Sequence, residues 1–245
     1  MLLYDELAEH YFAIEAPGRD FVGDIAGLDQ ALRRASAKDV LDIGCGSGEH
    51  VEALCRESYR AEGTDASQAM IEVARRRFPN RSFYRGDMRS FQSDRIYDAA
   101  MCLFGTFNYI LDDGDIARTF RSTSSLLRPG GLLILEVWNS RPLLEIGSKG
   151  ISPVVQVQSG GKKITRDRGF TLLRSQPALV EVNYLYTVNG REMRDRHHMR
   201  VFSPDEIRNF AERAGFRIEA LDGDLKGTPF SPLGARITLR LRSDA

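Results

Sequence analysis

The chain has 245 residues, of which 42% are apolar, and its 34 basic and 34 acidic side chains give a formal net charge of zero. This composition supports the core of one large α/β domain, with or without an insertion, and it disfavours binding to a nucleic acid or to an anionic membrane by charge alone. The longest apolar run, residues 99–104, is far too short to cross a bilayer.

The N-terminus and the cysteines predict a cytoplasmic protein. Residues 1–6 are acidic where a signal peptide is positively charged. Cys45, Cys55 and Cys102 are scattered, so they form no disulfide framework and share no metal-binding spacing with histidine. We therefore expect no metal site and no thiol nucleophile.

After two N-terminal helix patterns, residues 39–138 alternate between strand and helix patterns, which is typical of a parallel sheet with both faces covered. The apolar spacing predicts an N-terminal helix from Tyr4 to about Pro17 and a second helix over 21–32. Strands are expected at 39–43, 60–65, 81–85, 96–104 and 131–138, with helices at 48–58, 67–77 and 115–127.

The alternation ends after Trp138. Residues 152–202 show extended stretches joined by turns at 159–161 and 189–190, which predicts an antiparallel insert. A strong helix start follows at Ser203. Two more strands, at 216–221 and 235–241, bring the main sheet to seven. The predicted domains are 1–138 with 203–245, and an insert over 139–202.

A glycine-rich turn follows the first predicted strand. Residues 40–48 read Val-Leu-Asp-Ile-Gly-Cys-Gly-Ser-Gly, a buried strand that runs into a turn where the backbone can approach a ligand closely. The dinucleotide fingerprint requires a glycine where Glu49 stands, so a pyrophosphate is disfavoured. Asp42, two residues before the first glycine, favours a cationic ligand instead.

Two further carboxylates follow predicted strands. Asp65 ends the second strand, a position from which it can accept both hydroxyls of a ribose; its alternative role is to provide charge at the N-terminus of the next helix. Asp87 and Met88 follow the third strand, where they can hold an adenine amino group and flank its ring. A nucleoside therefore fits this edge of the sheet.

Residues 42–48, Asp65, Asp87 with Met88, and residues 98–104 resemble successive motifs of the class I S-adenosylmethionine-dependent methyltransferases. The resemblance covers about residues 38–137 and 203–241. It implies an α/β fold with a Rossmann-like, seven-stranded, mostly parallel sheet, helices on both faces and, here, an antiparallel β insert. It also implies S-adenosyl-L-methionine as cofactor and S-adenosyl-L-homocysteine as product.

The resemblance implies which residues hold the cofactor. The chain is most similar to N,N-dimethyltransferases of nucleotide-linked deoxy-amino sugars, in which an aromatic and a basic residue before the first strand close over the methionine end. Tyr11 and Arg19 take those positions here. The implied set is Tyr11, Arg19, Asp42, Gly44, Gly46, Asp65, Ala66, Met70, Asp87, Met88 and Leu103.

The predicted site for the methyl acceptor combines the end of a strand with the insert, which covers this site. Glu136 ends the fifth strand and His197 belongs to the last strand of the insert, and these two are the predicted catalytic residues that accept a proton. His198 points to the opposite face of that strand, and the family position favours His197. Tyr4 and Arg200 are the predicted substrate-holding residues.

The predicted function is transfer of a methyl group to a nitrogen of a small-molecule acceptor, an amino sugar or a similar metabolite, by in-line displacement. O-methylation of a small alcohol or phenol stays open, because nothing in the sequence separates nitrogen from oxygen. The alternatives of other classes are a non-catalytic cofactor-binding module and a nicotinamide-dependent oxidoreductase, against which Glu49 argues. We expect no nucleic acid and no membrane as partner, and a homodimer is left open.

Overall fold

The computed structural model describes residues 1–146 and 153–244; positions 147–152 of the predicted insert lie outside the described residues. The main sheet consists of β1 (Asp39–Ile43), β2 (Arg60–Asp65), β3 (Ser82–Arg85), β4 (Tyr97–Cys102), β5 (Leu127–Trp138), β10 (Phe216–Asp222) and β11 (Arg236–Ser243). The helices are α1 (Tyr11–Glu15), α2 (Phe21–Arg34), α3 (Glu49–Arg56), α4 (Gln68–Arg77), α5 (Asp113–Ser125), α6 (Ser140–Ile146) and α7 (Pro204–Arg213).

The main sheet has the strand order β10-β11-β5-β4-β1-β2-β3. β11 runs antiparallel to both of its neighbours, whereas the other neighbouring pairs are parallel. The seven-stranded, mostly parallel sheet predicted from the sequence is thus confirmed. The carboxyl ends of the parallel strands meet at one edge, which is where open α/β sheets bind ligands.

Two cores cover the two faces of this sheet, because side chains alternate along each strand. Val40 and Leu41 are both fully buried, yet they belong to different cores. The core that contains Leu41 includes residues of α5 and α7, and the core that contains Val40 includes residues of α2, α3 and α4. The prediction of helices on both faces is confirmed.

The prediction of one N-terminal helix from Tyr4 to Pro17 is wrong. Residues 1–20 form three short 3-10 turns and the single helical turn α1, none of which has a side-chain N-cap. Tertiary contacts hold this segment instead. Ser67 Oγ donates to the Tyr4 carbonyl at 2.6 Å, and the Leu2 amide donates to Asp195 at 2.5 Å.

The antiparallel insert is confirmed as a separate four-stranded sheet. Its strands are β6 (Val155–Ser159), β7 (Lys162–Ser175), β8 (Ala178–Val188) and β9 (Arg191–Arg200), and they lie side by side in chain order. Both predicted turns join neighbouring strands, and a third turn, at Gln176–Pro177, was not predicted. One face of the insert packs against Leu3, Leu7 and Ile14. The N-terminal segment therefore lies against the insert.

Two further boundaries differ from the sequence prediction. β5 begins at Leu127 rather than at 131, because the strand accommodates Gly130, whose φ is 69°, through a shift in its register with β4. α6 follows β5 where no helix was predicted. No helix in the described part of the chain is long and apolar enough to cross a membrane.

Candidate active site

Three adjoining cavities lie at the carboxyl edge of the main sheet. Cavity A, of about 300 Å³, is bordered by Asp65 and Asp87. Cavity B, of about 30 Å³, is bordered by Asp42. Cavity C, of about 380 Å³, extends from Glu136 to the insert. Phe104 lines all three cavities, so its ring stands where they meet. Its backbone is in the left-handed conformation, with a φ of 58°.

The glycine-rich turn forms the wall shared by cavities A and B. Gly44 and Gly46 have φ values of 76° and 54°, a region that favours glycine. A Cβ at Gly44 would lie 2.2 Å from the Thr106 side chain, and one at Gly46 would lie 3.3 Å from the Tyr11 ring. Both positions therefore favour glycine for conformation, and Gly44 also favours it for space.

Asp65 lies between this turn and the start of α4. Its Oδ2 accepts from the Gly46 amide at 2.9 Å and its Oδ1 accepts from the Ser67 amide at 2.8 Å. Burial raises the pKa of this carboxyl, and the two amide bonds oppose that rise. A carboxylate offers about four acceptor positions. Asp65 can thus support the helix start and still accept hydroxyl groups from cavity A.

Asp42 is a buried carboxylate without a counter-charge. Its side chain is 2% exposed, and Oδ2 has no hydrogen-bond partner among the described residues. Burial is the main cause that raises the pKa of Asp42 to about 8, and repulsion from Asp65 and Glu49 adds to it. Burial and the charge of Arg19 lower the pKa of the neighbouring His50 to about 3, so that ring is neutral and offers no compensation. A cation in cavity B would stabilise the ionised form of Asp42.

Four of the other residues implied to hold the cofactor line these cavities. Ala66, Asp87 and Met88 border cavity A, and Leu103 borders cavity B. The Asp87 oxygens accept from Arg89 Nε at 2.9 and 3.1 Å, and this hydrogen bonding lowers the pKa of Asp87. Asp87 is therefore ionised and fixed beside cavity A.

Met70 is an exception to the implied set. It is fully buried and packs with Ala8 and Val73 behind the rings of Tyr4 and Tyr11, so it lines none of the three cavities. The reason is local, since the Met70 amide donates to Ser67 Oγ and places the residue in the first turn of α4.

A chain of hydrogen bonds runs from cavity A into the insert. Tyr4 and Tyr109 both line cavity A, and their hydroxyl oxygens are 2.8 Å apart. The Tyr109 hydroxyl lies 2.7 Å from His197 Nδ1, and His197 Nε2 lies 2.9 Å from Asp195 Oδ2. Tyr4, predicted to hold the substrate, thus borders the cavity of the nucleoside motifs.

The structure does not bring His197 to the position expected of a proton acceptor. The side chain is buried, both ring nitrogens are engaged, and the ring borders none of the three cavities. Burial lowers the pKa of His197, although the hydrogen bond to Asp195 opposes this. His197 contacts the site through Tyr109, while His198 is exposed on the other face of β9.

Glu136 and Arg19 form a buried ion pair in cavity C. Arg19 donates to the two oxygens of Glu136 at 2.7 and 3.2 Å, and its Nε donates to Asp24 at 2.9 Å. The guanidinium lies 3.6 Å from the centre of the Phe104 ring. Arg19, expected at the methionine end, therefore lines cavity C and not cavity B, because two carboxylates hold it there. Both Glu136 oxygens are occupied, which disfavours the predicted proton transfer.

Arg200 lies outside all three cavities. Its guanidinium donates to Glu206 at 2.7 Å, to Asp113 at 2.6 Å and to the Leu111 carbonyl at 3.0 Å. Arg200, predicted to hold a substrate, has these protein groups as its partners. This side chain joins the end of β9 to the starts of α5 and α7.

Sequence reasoning missed three residues of the site. Phe104 joins the cavities, Glu15 borders both cavity B and cavity C, and Arg166 of β7 brings a buried guanidinium to cavity C. A signal existed for Arg166, because it and Arg168 are charged residues between Ile164 and Phe170 on one face of a predicted extended stretch. No spacing marks Glu15 or Phe104.

Comparisons with known proteins agree with this geometry. A family model described as a methyltransferase domain matches residues 40–131. The chain is 26% identical over 228 residues to dTDP-3-amino-3,6-dideoxy-alpha-D-glucopyranose N,N-dimethyltransferase of Streptomyces fradiae, covering 91% of this chain and 88% of the relative. It is 29% identical over 227 residues to dTDP-4-amino-2,3,4,6-tetradeoxy-D-glucose N,N-dimethyltransferase of Saccharopolyspora spinosa, covering 90% and 89%.

A solved structure extends the likeness to the whole fold. The structure of S-adenosylmethionine-bound CalS10, an amino pentose methyltransferase from Micromonospora echinaspora, superposes with a TM-score of 0.75 at 25% identity, covering 93% of this chain and 94% of the other. The predicted resemblance, fold class and cofactor are confirmed. The chain thus carries a methyltransferase domain over residues 40–131 and is similar over most of its length to methyltransferases, one of them solved with S-adenosylmethionine bound.

Proposed function

We propose that this methyltransferase acts on the nitrogen of a small-molecule amine, with the cofactor in cavities A and B and the acceptor in cavity C. Bound S-adenosylmethionine supplies an electrophilic methyl group carried by a sulfonium. Asp65 and the glycine-rich turn would hold the nucleoside. Asp42, which has no counter-charge, would compensate the cationic end of the cofactor. An amino sugar is the favoured acceptor, because the relatives named above act on amino sugars.

The observation that carries the choice of nitrogen is Glu15. It lies at the junction of cavities B and C, and its Oε1 is buried without a hydrogen-bond partner among the described residues. This carboxylate lies 3.7 Å from Arg166 Nε as an ion pair but accepts no hydrogen bond at Oε1. It can therefore attract an ammonium group and take up its proton, whereas a neutral hydroxyl gains less from it. Glu15 therefore favours an amine over an alcohol as the acceptor.

The other residues of the junction orient the acceptor and exclude water. The Phe104 ring and the Arg19 guanidinium stack at 3.6 Å and form one wall between the cavities. Glu136 and Asp24 fix Arg19, so these two carboxylates act as positioning residues. His197 has a similar indirect role, because it fixes the Tyr109 hydroxyl at the border of cavity A. Alignment and exclusion of water supply much of the rate that such a displacement requires.

The test is Glu15→Gln, which removes the charge at nearly constant shape. We expect turnover with amine acceptors to fall by roughly a hundredfold while S-adenosylmethionine affinity stays near that of the wild type. Glu57→Gln, at an exposed glutamate, is the matched control. Mass spectrometry of an acceptor panel reports which atom is methylated. Methylation of hydroxyls alone would establish the O-methyltransferase, and cofactor binding without transfer to any acceptor would establish the non-catalytic module.

A further inference from the structure

Cavity B is acidic and offers few partners for an anion. The carboxylate side chains of Glu15, Asp42 and Glu49 line it, and no arginine or lysine of the described residues does. S-adenosylmethionine ends in an amino acid, which carries an ammonium group and a carboxylate. The ammonium group finds acidic partners in this cavity, whereas the carboxylate needs a donor that the acidic side chains cannot provide.

His50 brings a ring nitrogen without a protein partner to this cavity. The side chain is 9% exposed, and Nε2 is buried with no hydrogen-bond partner among the described residues. Burial and the charge of Arg19 lower the pKa of His50 to about 3, so the ring is neutral and carries one proton, which Nε2 can hold. A buried polar group without a partner is costly, so its presence in a cavity marks a place where a ligand atom binds.

The surroundings of His50 fix its ring and favour an anion beside it. The ring lies near those of Phe21 and Phe104, with centroid distances of 5.1 and 5.2 Å. His50 is the second residue of α3, which follows the left-handed Gly48 of the glycine-rich turn. The start of a helix presents backbone amides and a partial positive charge. His50 therefore offers a donor at a place where an anionic group is favoured.

Two other residues that could hold a carboxylate have partners of their own. Arg19, expected at the methionine end, is held in cavity C by Glu136 at 2.7 Å and by Asp24 at 2.8 Å, and both would have to release it before it reached cavity B. The Tyr11 hydroxyl lies among carboxylates of the protein itself. Its pKa is raised by burial and then by the charges of Glu15, Asp65 and Glu49.

We propose that His50 is a cofactor-binding residue whose Nε2–H donates a hydrogen bond to the carboxylate at the methionine end of S-adenosylmethionine. The inference rests on the proposed placement of the cofactor in cavities A and B and deepens it. Asp42 and His50 divide the amino-acid end between them, with Asp42 facing the ammonium group and His50 facing the carboxylate. Cavity B thus recognises an amino acid rather than a simple amine, and it selects the intact cofactor over a nucleoside thioether that lacks the carboxylate.

The experiment compares two ligands that differ only in this carboxylate. S-adenosyl-L-homocysteine and its decarboxylated analogue are titrated separately into the wild type and into each variant by calorimetry. We expect the wild type to prefer S-adenosyl-L-homocysteine by about tenfold or more, and His50→Phe, which keeps a ring but loses the donor, to bind both ligands within about threefold. His50→Gln keeps a donor near the position of Nε2 and should retain most of the preference. His198→Phe, at the exposed histidine of β9, should bind like the wild type.

The Asp42→Asn variant tests the placement of the cofactor separately. Both ligands keep the ammonium group, so this variant should weaken the binding of both by a similar factor. Unchanged affinity for both ligands would overturn the placement and the inference with it.

The remaining outcomes concern His50 alone. A wild type without the preference, or a folded His50→Phe that keeps it, overturns the role of His50. Equal weakening of both ligands in His50→Phe also overturns it, because the ring would then contact a group that both ligands share. Loss of the preference in Tyr11→Phe but not in His50→Phe would assign the carboxylate to Tyr11 instead. These titrations contain no methyl acceptor, so the Glu15→Gln assay measures transfer to amines independently.

Discussion

Cavities A and B form the proposed cofactor side of the site, and cavity C forms the proposed acceptor side. The two sides differ in the charge of their side chains and in the strands that carry them. On the cofactor side, the carboxylates Asp42 and Asp65 stand at the ends of parallel strands beside a glycine-rich turn. On the acceptor side, arginines from an antiparallel sheet and from β11 dominate. The comparison teaches that acidic side chains of the main sheet border cavities A and B, whereas most of the basic side chains of cavity C come from the insert and from β11.

The largest effect is expected from Asp65→Ala on the cofactor side. The substitution removes the carboxylate that holds the turn and that we expect to accept the ribose hydroxyls, so S-adenosylmethionine binding should weaken by about 2–3 kcal/mol. Calorimetry measures this directly. Asp94→Ala, at an exposed aspartate, serves as the control. Unchanged affinity in Asp65→Ala would remove the ribose from this residue and with it the distinction between the two sides.

Asp42 should make the stability of the cofactor-free protein depend on pH. The pKa of Asp42 is about 8 in the folded chain, against an ordinary value of 3.8 in the unfolded chain. Between pH 3.8 and pH 8, the folded state therefore keeps a proton that the unfolded state releases. Stability therefore falls as pH rises from about 4 to 8. At pH 8 the Asp42→Asn variant should melt higher than the wild type by roughly 2–4 °C or more, and it should bind S-adenosylmethionine more weakly.

Thermal melts of both proteins at several pH values test this expectation. A wild-type slope that persists in Asp42→Asn would show that another group is responsible. A variant that binds S-adenosylmethionine as tightly as the wild type would show that Asp42 does not compensate the cationic end of the cofactor.

A smaller effect is expected at His197, where the insert meets the cofactor side. Because His197 acts through the Tyr109 hydroxyl, His197→Ala should lower turnover by about tenfold, and the same change in a Tyr109→Phe background should add little. His198→Ala, on the exposed face of β9, should be mild. Additive losses from His197→Ala and Tyr109→Phe would break the link, and a loss of a hundredfold or more from His197→Ala would restore a direct catalytic role.

The smallest effect is expected from the cysteines. Burial raises the pKa of Cys45 and Cys102 well above the ordinary thiol value, so neither is a ready nucleophile. A folded variant in which all three cysteines are replaced by alanine should keep turning over, with a loss that reflects packing alone. A drop in turnover of more than about a thousandfold would indicate thiol chemistry, since packing defects rarely cost that much in a chemical step.

The cofactor side could be predicted from sequence because its geometry is local. The backbone conformation of Gly44 and Gly46 favours glycine, and Asp65 ends β2, which pairs directly with β1, the strand before their turn. The acceptor side depends on tertiary packing, since Glu15 and Arg166 are distant in sequence and meet only because the N-terminal segment lies against the insert. Sequence spacing carries no information about such a meeting.

His197 and Met70 show the same limit of prediction from sequence. The alternation along β9 correctly placed His197 on an inward face, yet several residues compete for the interior, and Tyr109 rather than His197 reaches cavity A. Met70 belongs to the set that the resemblance implies, and the helix start at Ser67 places it in the core. A pattern predicts the side to which a residue points but not what it touches there.

Because of its left-handed backbone conformation, Phe104 is a position where stability and activity favour different residues. A bulky residue with φ near 58° carries strain of about 1–3 kcal/mol that glycine would not. Replacing Phe104 with glycine would relax the loop after β4, but it would also remove the ring on which Arg19 stacks and open the three cavities to one another. Selection for thermal robustness alone would thus erode this residue, and its retention in a stabilised variant would be a sign that methyl transfer was under selection too.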